Sequence, residues 1–205
     1  MIDLIFDLMD GLIKTHLEEY DPPKTNDFID TYLHRHMRQD GSSFSGKEGI
    51  QNLRVSLLDL FVAGTETTST TLVWAVLFMS QHLKVQEKLH QEIDKIIGNG
   101  TPSRDDRAKT PYLEAFTNEV NRKATLLPMT VLHKAMKDTE IAGFTVRKGT
   151  VILPSIYAAH HDVEYWGDPE VFRPKRFLDS SGSKVTPKDA LMPFSTESDT
   201  VWEKH

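Results

Sequence analysis

From Lys47 to about Gln81 the chain keeps a helical hydrophobic pattern without interruption, and few folds can house a helix of that length. Leu53, Leu57, Leu60 and Phe61 recur along one face. Every residue from Leu72 to Met79 is apolar, which predicts burial on all sides of that stretch. Between the two lie Thr67, Thr68, Ser69, Thr70 and Thr71, poor formers of an exposed helix. A buried site that uses hydroxyls is one explanation for them. A chain built around such an element is predicted to be mainly α-helical, and its 205 residues suffice for one domain or two small ones.

The flanking segments are shorter. Residues 1–20 read as an amphipathic helix, with Leu4, Leu8 and Leu12 in one row and Ile5, Met9 and Ile13 in the next. Pro22-Pro23 ends it. Asn26 or Asp27 caps a second helix carrying Phe28, Ile29, Tyr32 and Leu33, followed by a loop at Asp40-Gly41-Ser42-Ser43. Val85, Leu89, Ile93 and Ile97 form an i, i+4 stripe that stops at Gly98-Asn99-Gly100. Pro111 opens a helix running to Lys123. A small β portion follows, with strands over Ile141–Val146 and Thr150–Leu153 joined by Arg147-Lys148-Gly149. From Trp166 the chain becomes long irregular coil, rich in Pro, Gly, Asp and Ser, which inside a compact domain has to pack around something.

Composition narrows the function. A net charge of −6 with no basic, aromatic-interleaved stripe argues against nucleic-acid binding, although Arg35, Arg38 and Lys47 form a local basic group. The absence of cysteine excludes disulfides, thiolate metal sites and thiol nucleophiles. The N-terminus is acidic and the longest apolar run falls short of the roughly 20 residues that span a bilayer, so no membrane anchor is expected within these residues. In His160-His161-Asp162 adjacent residues of an extended chain point opposite ways rather than at one ion, so no metal site is expected there, and His34-x-His36 is an equally weak signal.

Three motifs occur in order: Ala63-Gly64-Thr65-Glu66-Thr67-Thr68, Glu119-x-x-Arg122, and Phe172-Arg173-Pro174-Lys175-Arg176-Phe177. A spacing of three sets Glu119 and Arg122 on one helix face, where an exposed pair contributes roughly 0–1 kcal/mol. Taken together the motifs resemble the cytochrome P450 family, in its microsomal, family 2-like branch. The resemblance extends through Asp138–Phe144, Val146–Thr150 and Asp168–Phe172, and covers residues 1–195 as a partial domain, with 196–205 as an unrelated tail.

The resemblance implies a fold with a long central helix, the Glu-x-x-Arg helix, short strands and a meandering coil. It implies a haem-thiolate monooxygenase that oxidises small apolar substrates such as steroids, fatty acids or xenobiotics. Electrons would come from NADPH through a flavoprotein reductase at the endoplasmic reticulum membrane. Thr67 takes the oxygen-side hydroxyl position, Glu66 supplies protons, and Ala63 or Gly64 leaves room over the cofactor. The Thr67 hydroxyl can also bond back to the carbonyl of Ala63. Glu119, Arg122 and Arg176 form a structural lock, since a planar guanidinium can bridge a carboxylate and backbone carbonyls together. His133 meets a haem propionate, and Pro128, Val131 and Leu132 line the substrate cavity.

The sequence also departs from the family. Asn121 and Lys123 stand where relatives carry other residues. After Met192-Pro193-Phe194-Ser195 the family's glycine-rich loop and axial cysteine do not follow, nor does its last helix, and the family's N-terminal half is missing. The chain alone is therefore expected to be inactive, cytosolic or peripheral, without stably bound haem, and with apolar faces left open. The alternative is a non-enzymatic truncated isoform that binds the reductase or full-length partners.

Overall fold

The computed structural model describes residues 2–22, 24–38, 41 and 43–195, in two compact units, Met1–Thr68 and Ser69–His205. The tail expected at 196–205, Pro23, Asp40 and Ser42 lie outside the described residues.

The first unit holds helices α1 (Ile2–Glu18), α2 (Phe28–His36) and the beginning of α3 (Gly46–Gln81). Of the two candidate caps the structure uses Asp27, whose Oδ1 accepts the Asp30 backbone N–H at 2.9 Å. Ile13, Ile29, Tyr32, Leu33 and Leu53 make the core, with Tyr20, Phe44, Ile50 and Leu57 against it. Two rows of α1 offset by one residue lie about 100° apart on the helix, and one of them meets α2. Met9 and Ile13 are buried while Leu4, Leu8 and Leu12 face outward. Tyr32 donates to the Gly49 carbonyl at 3.0 Å, and Arg54 pairs with Asp10 at 2.8 Å over the Phe6 ring.

The second unit holds the rest of α3, then α4 (Leu83–Ile96), a 3-10 turn (Arg104–Lys109) and α5 (Pro111–Ala124). Four strands follow: β1 (His133–Lys134), β2 (Thr139–Ile141), β3 (Phe144–Val146) and β4 (Val151–Ile152). Two short helices, α6 (Ile156–His160) and α7 (Val163–Trp166), precede the coil, which contains one further 3-10 turn (Pro174–Phe177). One core joins Phe78, Leu89, Phe116, Val120 and Phe172, and a second joins Ala115, Trp166 and Phe177. Phe172 carries the coil into the first core, stacked on Phe78 at 4.4 Å and edge-on to Phe116 at 5.9 Å.

Three expectations are corrected. Among Leu72–Met79 only Phe78 is buried; Leu72, Val73 and Val76 are 60–67% exposed. Here α3 sets one side against the cluster around Leu89 and Phe172, and the described residues leave its other side uncovered. For the same reason none of Thr67–Thr71 is buried. The expected strand over Ile141–Val146 is instead a hairpin: β2 pairs with β3 through Thr139–Val146 and Ile141–Phe144. The chain reverses at Ala142 and Gly143, both with positive φ, +50° and +83°. Thr150–Leu153 supplies β4, whose partner is β1, in register His133–Ile152.

Candidate functional site

One helical turn separates Glu119 and Arg122 on α5, and both side chains are fully buried, at 0% exposure. A carboxylate and a guanidinium survive there because nearly every polar atom finds a partner. Arg122 Nε donates to Glu119 Oε2 at 2.8 Å and Nη2 to Oε1 at 3.0 Å, a bidentate pair. The same guanidinium reaches the carbonyls of His160 at 2.8 Å and Pro169 at 2.9 Å. Glu119 Oε1 also accepts the Arg173 backbone N–H at 2.7 Å and Arg176 Nε at 3.2 Å.

Arg176 turns its remaining donors on the coil, reaching the carbonyls of Trp166 at 3.1 Å, Asp168 at 3.1 Å and Val171 at 2.9 Å. The Trp166 ring lies 5.2 Å from the Arg122 guanidinium and 5.7 Å from that of Arg176. Its indole N–H donates to the Ala159 carbonyl at 2.8 Å. Two buried cations face one buried anion. Asp168 adds a second negative charge at the rim, 3.1 Å from Arg176 Nη1 and 2.7 Å from Arg173 Nη2. Its buried groups are all committed to one another and to backbone carbonyls, and they fasten the largely irregular coil to a helix.

His160, also fully buried, sits beside this cluster. Its Nδ1 lies 3.1 Å from Thr125 Oγ1 and its Nε2 accepts the Met192 backbone N–H at 3.0 Å. Burial, helped by the nearby His161 and Arg122, lowers its pKa to about 4, so it is neutral at pH 7. One residue along α5 from Arg122, Lys123 pairs with exposed Glu170 at 2.6 Å and holds that carboxyl below its usual range.

The other residues expected at a site lie elsewhere. In the first unit Thr67 Oγ1 donates to the Ala63 carbonyl at 2.8 Å, and α3 continues unbroken through that turn. Ala63, Gly64 and Glu66 are exposed there. In the second unit Pro128 accepts the Tyr157 N–H at 3.0 Å, while Val131, Leu132 and His133 form an exposed run into β1. Asn121 lines a cleft of about 420 Å³ with Asn118, Leu113 and Ile97.

Sequence reasoning missed Thr125, Trp166, Asp168 and the role of His160. The partners of His160 lie 35 and 32 positions away, and no local spacing signals them. His16, Asp27 and Asp30 bring three ligand-type atoms together. His16 Nε2 is already paired with Asp27 at 2.9 Å, and the positive end of α2 opposes a cation there.

A predominantly helical fold in which a Glu-x-x-Arg helix is bolted to a downstream arginine-bearing coil defines the class of protein this is. The chain belongs to the Cytochrome P450 family, which it matches across residues 1–196. It is similar to Cytochrome P450 2B2 of Rattus norvegicus, 42% identical over 193 residues, covering 94% of this chain and 39% of that protein. It is also similar to human Cytochrome P450 2J2, 42% identical over 90% of this chain and 36% of the relative. Human Cytochrome P450 2U1 is 40% identical over 89% of this chain and 34% of its own length. The chain thus spans little more than a third of these relatives.

The family implies a haem held by a cysteine thiolate, and these 205 residues contain no cysteine. The donor set present does not fit that group. Among the described residues no helix is long and apolar enough to cross a membrane.

Proposed function

We propose that this chain is the structural portion of a haem-thiolate monooxygenase of the endoplasmic reticulum membrane that carries the oxygen-side helix and the buried lock. The whole protein would insert one oxygen atom of O2 into a small apolar substrate such as a steroid, fatty acid or xenobiotic. Electrons would come from NADPH through a flavoprotein reductase. The observation that carries this reading is the buried Glu119–Arg122–Arg176 cluster. It commits two guanidiniums and a carboxylate to fastening the coil, which an isolated helical domain has no need to do. The segment from Pro128 to Leu132, apolar but for Thr130 and largely exposed, supports an apolar substrate. In this reading Thr67 would hand on a proton and Glu66 would resupply it. His133 is assigned to a haem propionate.

The 205 residues alone supply no thiolate, so we expect no thiolate-haem spectrum and no turnover from them. That same composition favours a second reading for the chain as it stands, a non-catalytic isoform that binds the reductase or a full-length partner. Sequencing the transcript through the codons for Phe194–His205 decides which product is made. That product, co-expressed with an NADPH-dependent reductase, is then given apolar substrates under labelled O2. A cysteine-bearing product that incorporates one labelled oxygen supports the first reading. A cysteine-bearing product that binds no haem overturns it, as does turnover by the cysteine-free chain.

A further inference from the structure

His160 touches α5 through both its main chain and its side chain. Its carbonyl accepts Arg122 Nη1 at 2.8 Å, and its ring lies against Thr125, the residue that ends α5 in a left-handed conformation with φ +40°. The ring's protonation follows from its partners. The Thr125 hydroxyl donates its one proton to the Arg122 carbonyl at 2.6 Å, so toward His160 it acts as an acceptor and Nδ1 carries the proton. The Met192 amide can only donate, so Nε2 is the bare nitrogen. A charged ring would set donor against donor at Met192, close to the Arg122 guanidinium.

We propose that His160 is a positioning residue: as the neutral Nδ1–H tautomer it clamps the stretch around Met192 to the end of α5, the helix that carries the buried lock. An apolar side chain of the same size would fill the space and leave the Met192 N–H without its acceptor. The other backbone bonds of this stretch are local: the Leu191 N–H bonds to Lys188 at 2.9 Å and the Met192 carbonyl accepts the Ser195 N–H at 3.1 Å, while Ala190 and Leu191 pack, partly buried, against the Trp166–Phe177 core. In the family reading, the loop bearing the haem ligand follows Phe194-Ser195, so His160 holds the base of that loop; this last step rests on that reading.

The test uses the whole chain at pH 7. Long-range nitrogen–proton correlation of the His160 ring should show a protonated Nδ1 and a bare Nε2; the other tautomer, or a charged ring, overturns the proposal whatever the variants do. Two conservative substitutions then separate the two ends of the ring. His160→Gln places an oxygen near the Nε2 position and keeps an acceptor for Met192. His160→Asn places an amide N–H near the Nδ1 position and offers Met192 nothing. Hydrogen exchange of the 188–195 segment is measured against the 139–146 hairpin as internal reference. His160→Gln should stay within about threefold of the parent, and His160→Asn should exchange roughly tenfold faster, the loss of one buried hydrogen bond. Equal exchange in the two variants means the ring only fills space. Both readouts are independent of haem, so failure of the family reading leaves them unchanged.

Discussion

Replacing Glu119 with Gln keeps the volume and removes the one buried negative charge between two guanidiniums. The carboxylate accepts four hydrogen bonds, two from Arg122, one from Arg176 and one from the Arg173 backbone. An amide offers one oxygen, and its NH2 must then face an arginine donor. Removing one partner of a buried pair costs about 3–5 kcal/mol, because the charge left behind stays desolvated. At roughly 2–4 °C per kcal/mol for a chain near this size, Tm should fall by about 6–20 °C. In urea, with a slope of about 1–3 kcal/mol/M, the midpoint should move by at least about 1 M. Tryptophan emission is a suitable probe, since Trp166 lies against both guanidiniums.

Lys123→Ala supplies the control, four residues further along the same helix. Its partner Glu170 is 77% exposed, so solvent screens the pair and the loss should be far smaller than that of Glu119→Gln. If Glu119→Gln costs no more than Lys123→Ala, the buried cluster is not what fastens the coil to α5, and the argument from burial fails.

Other outcomes follow from single contacts. Gly49→Ala should destabilise the first unit although alanine favours a helix by about 1 kcal/mol, because the added Cβ would collide with the Phe44 carbonyl; a raised urea midpoint would show that this turn relaxes freely. Phe172→Ala should cost about 3–5 kcal/mol by removing the ring stacked on Phe78 and edge-on to Phe116, read as a lower urea midpoint at unchanged slope. The two units should respond oppositely to acid. His160 has a lowered pKa, so its contribution is complete above 6.5 and is lost as pH falls from 6.5 toward about 4, about 2 kcal/mol after allowance for screening. His16 is raised, first by its bond to the Leu12 carbonyl and then by Asp27, so its contribution is present below 6.5 and is lost as pH rises through its folded value. Asp27, lowered chiefly by capping the Asp30 N–H, keeps its own contribution down to 3.8 and loses it only as pH falls further. Between pH 7.5 and 5, exchange protection corrected for intrinsic rate should therefore fall around residues 156–192 and rise around 9–33; a parallel fall in both would refute the assignment of these histidines.

What could be read in the sequence was set by interactions within a few residues. Asp27 caps α2, Pro111 opens α5, and α4 ends just ahead of Gly98, because caps and breakers act on backbone groups beside them. The turn that aligns Glu119 with Arg122 is equally local, and the Thr67 back-bond is a property of one helical turn. Arg176 joined them in the sequence reading through family resemblance, since 57 positions separate it from Glu119.

Tertiary structure decided which apolar faces are covered. An all-apolar stretch such as Leu72–Met79 carries no information about how many neighbours surround it, and in these residues one side of α3 stays bare. The reversal at Ala142–Gly143 escaped notice because a continuous β pattern does not reveal a residue other than glycine held at positive φ by its flanking pairs. In the sequence His160 stood out only within His160-His161-Asp162, where no metal site was expected. Its charge state, its tautomer and its hold on Met192 come from burial among partners more than thirty residues away, and only folding brings those partners within reach.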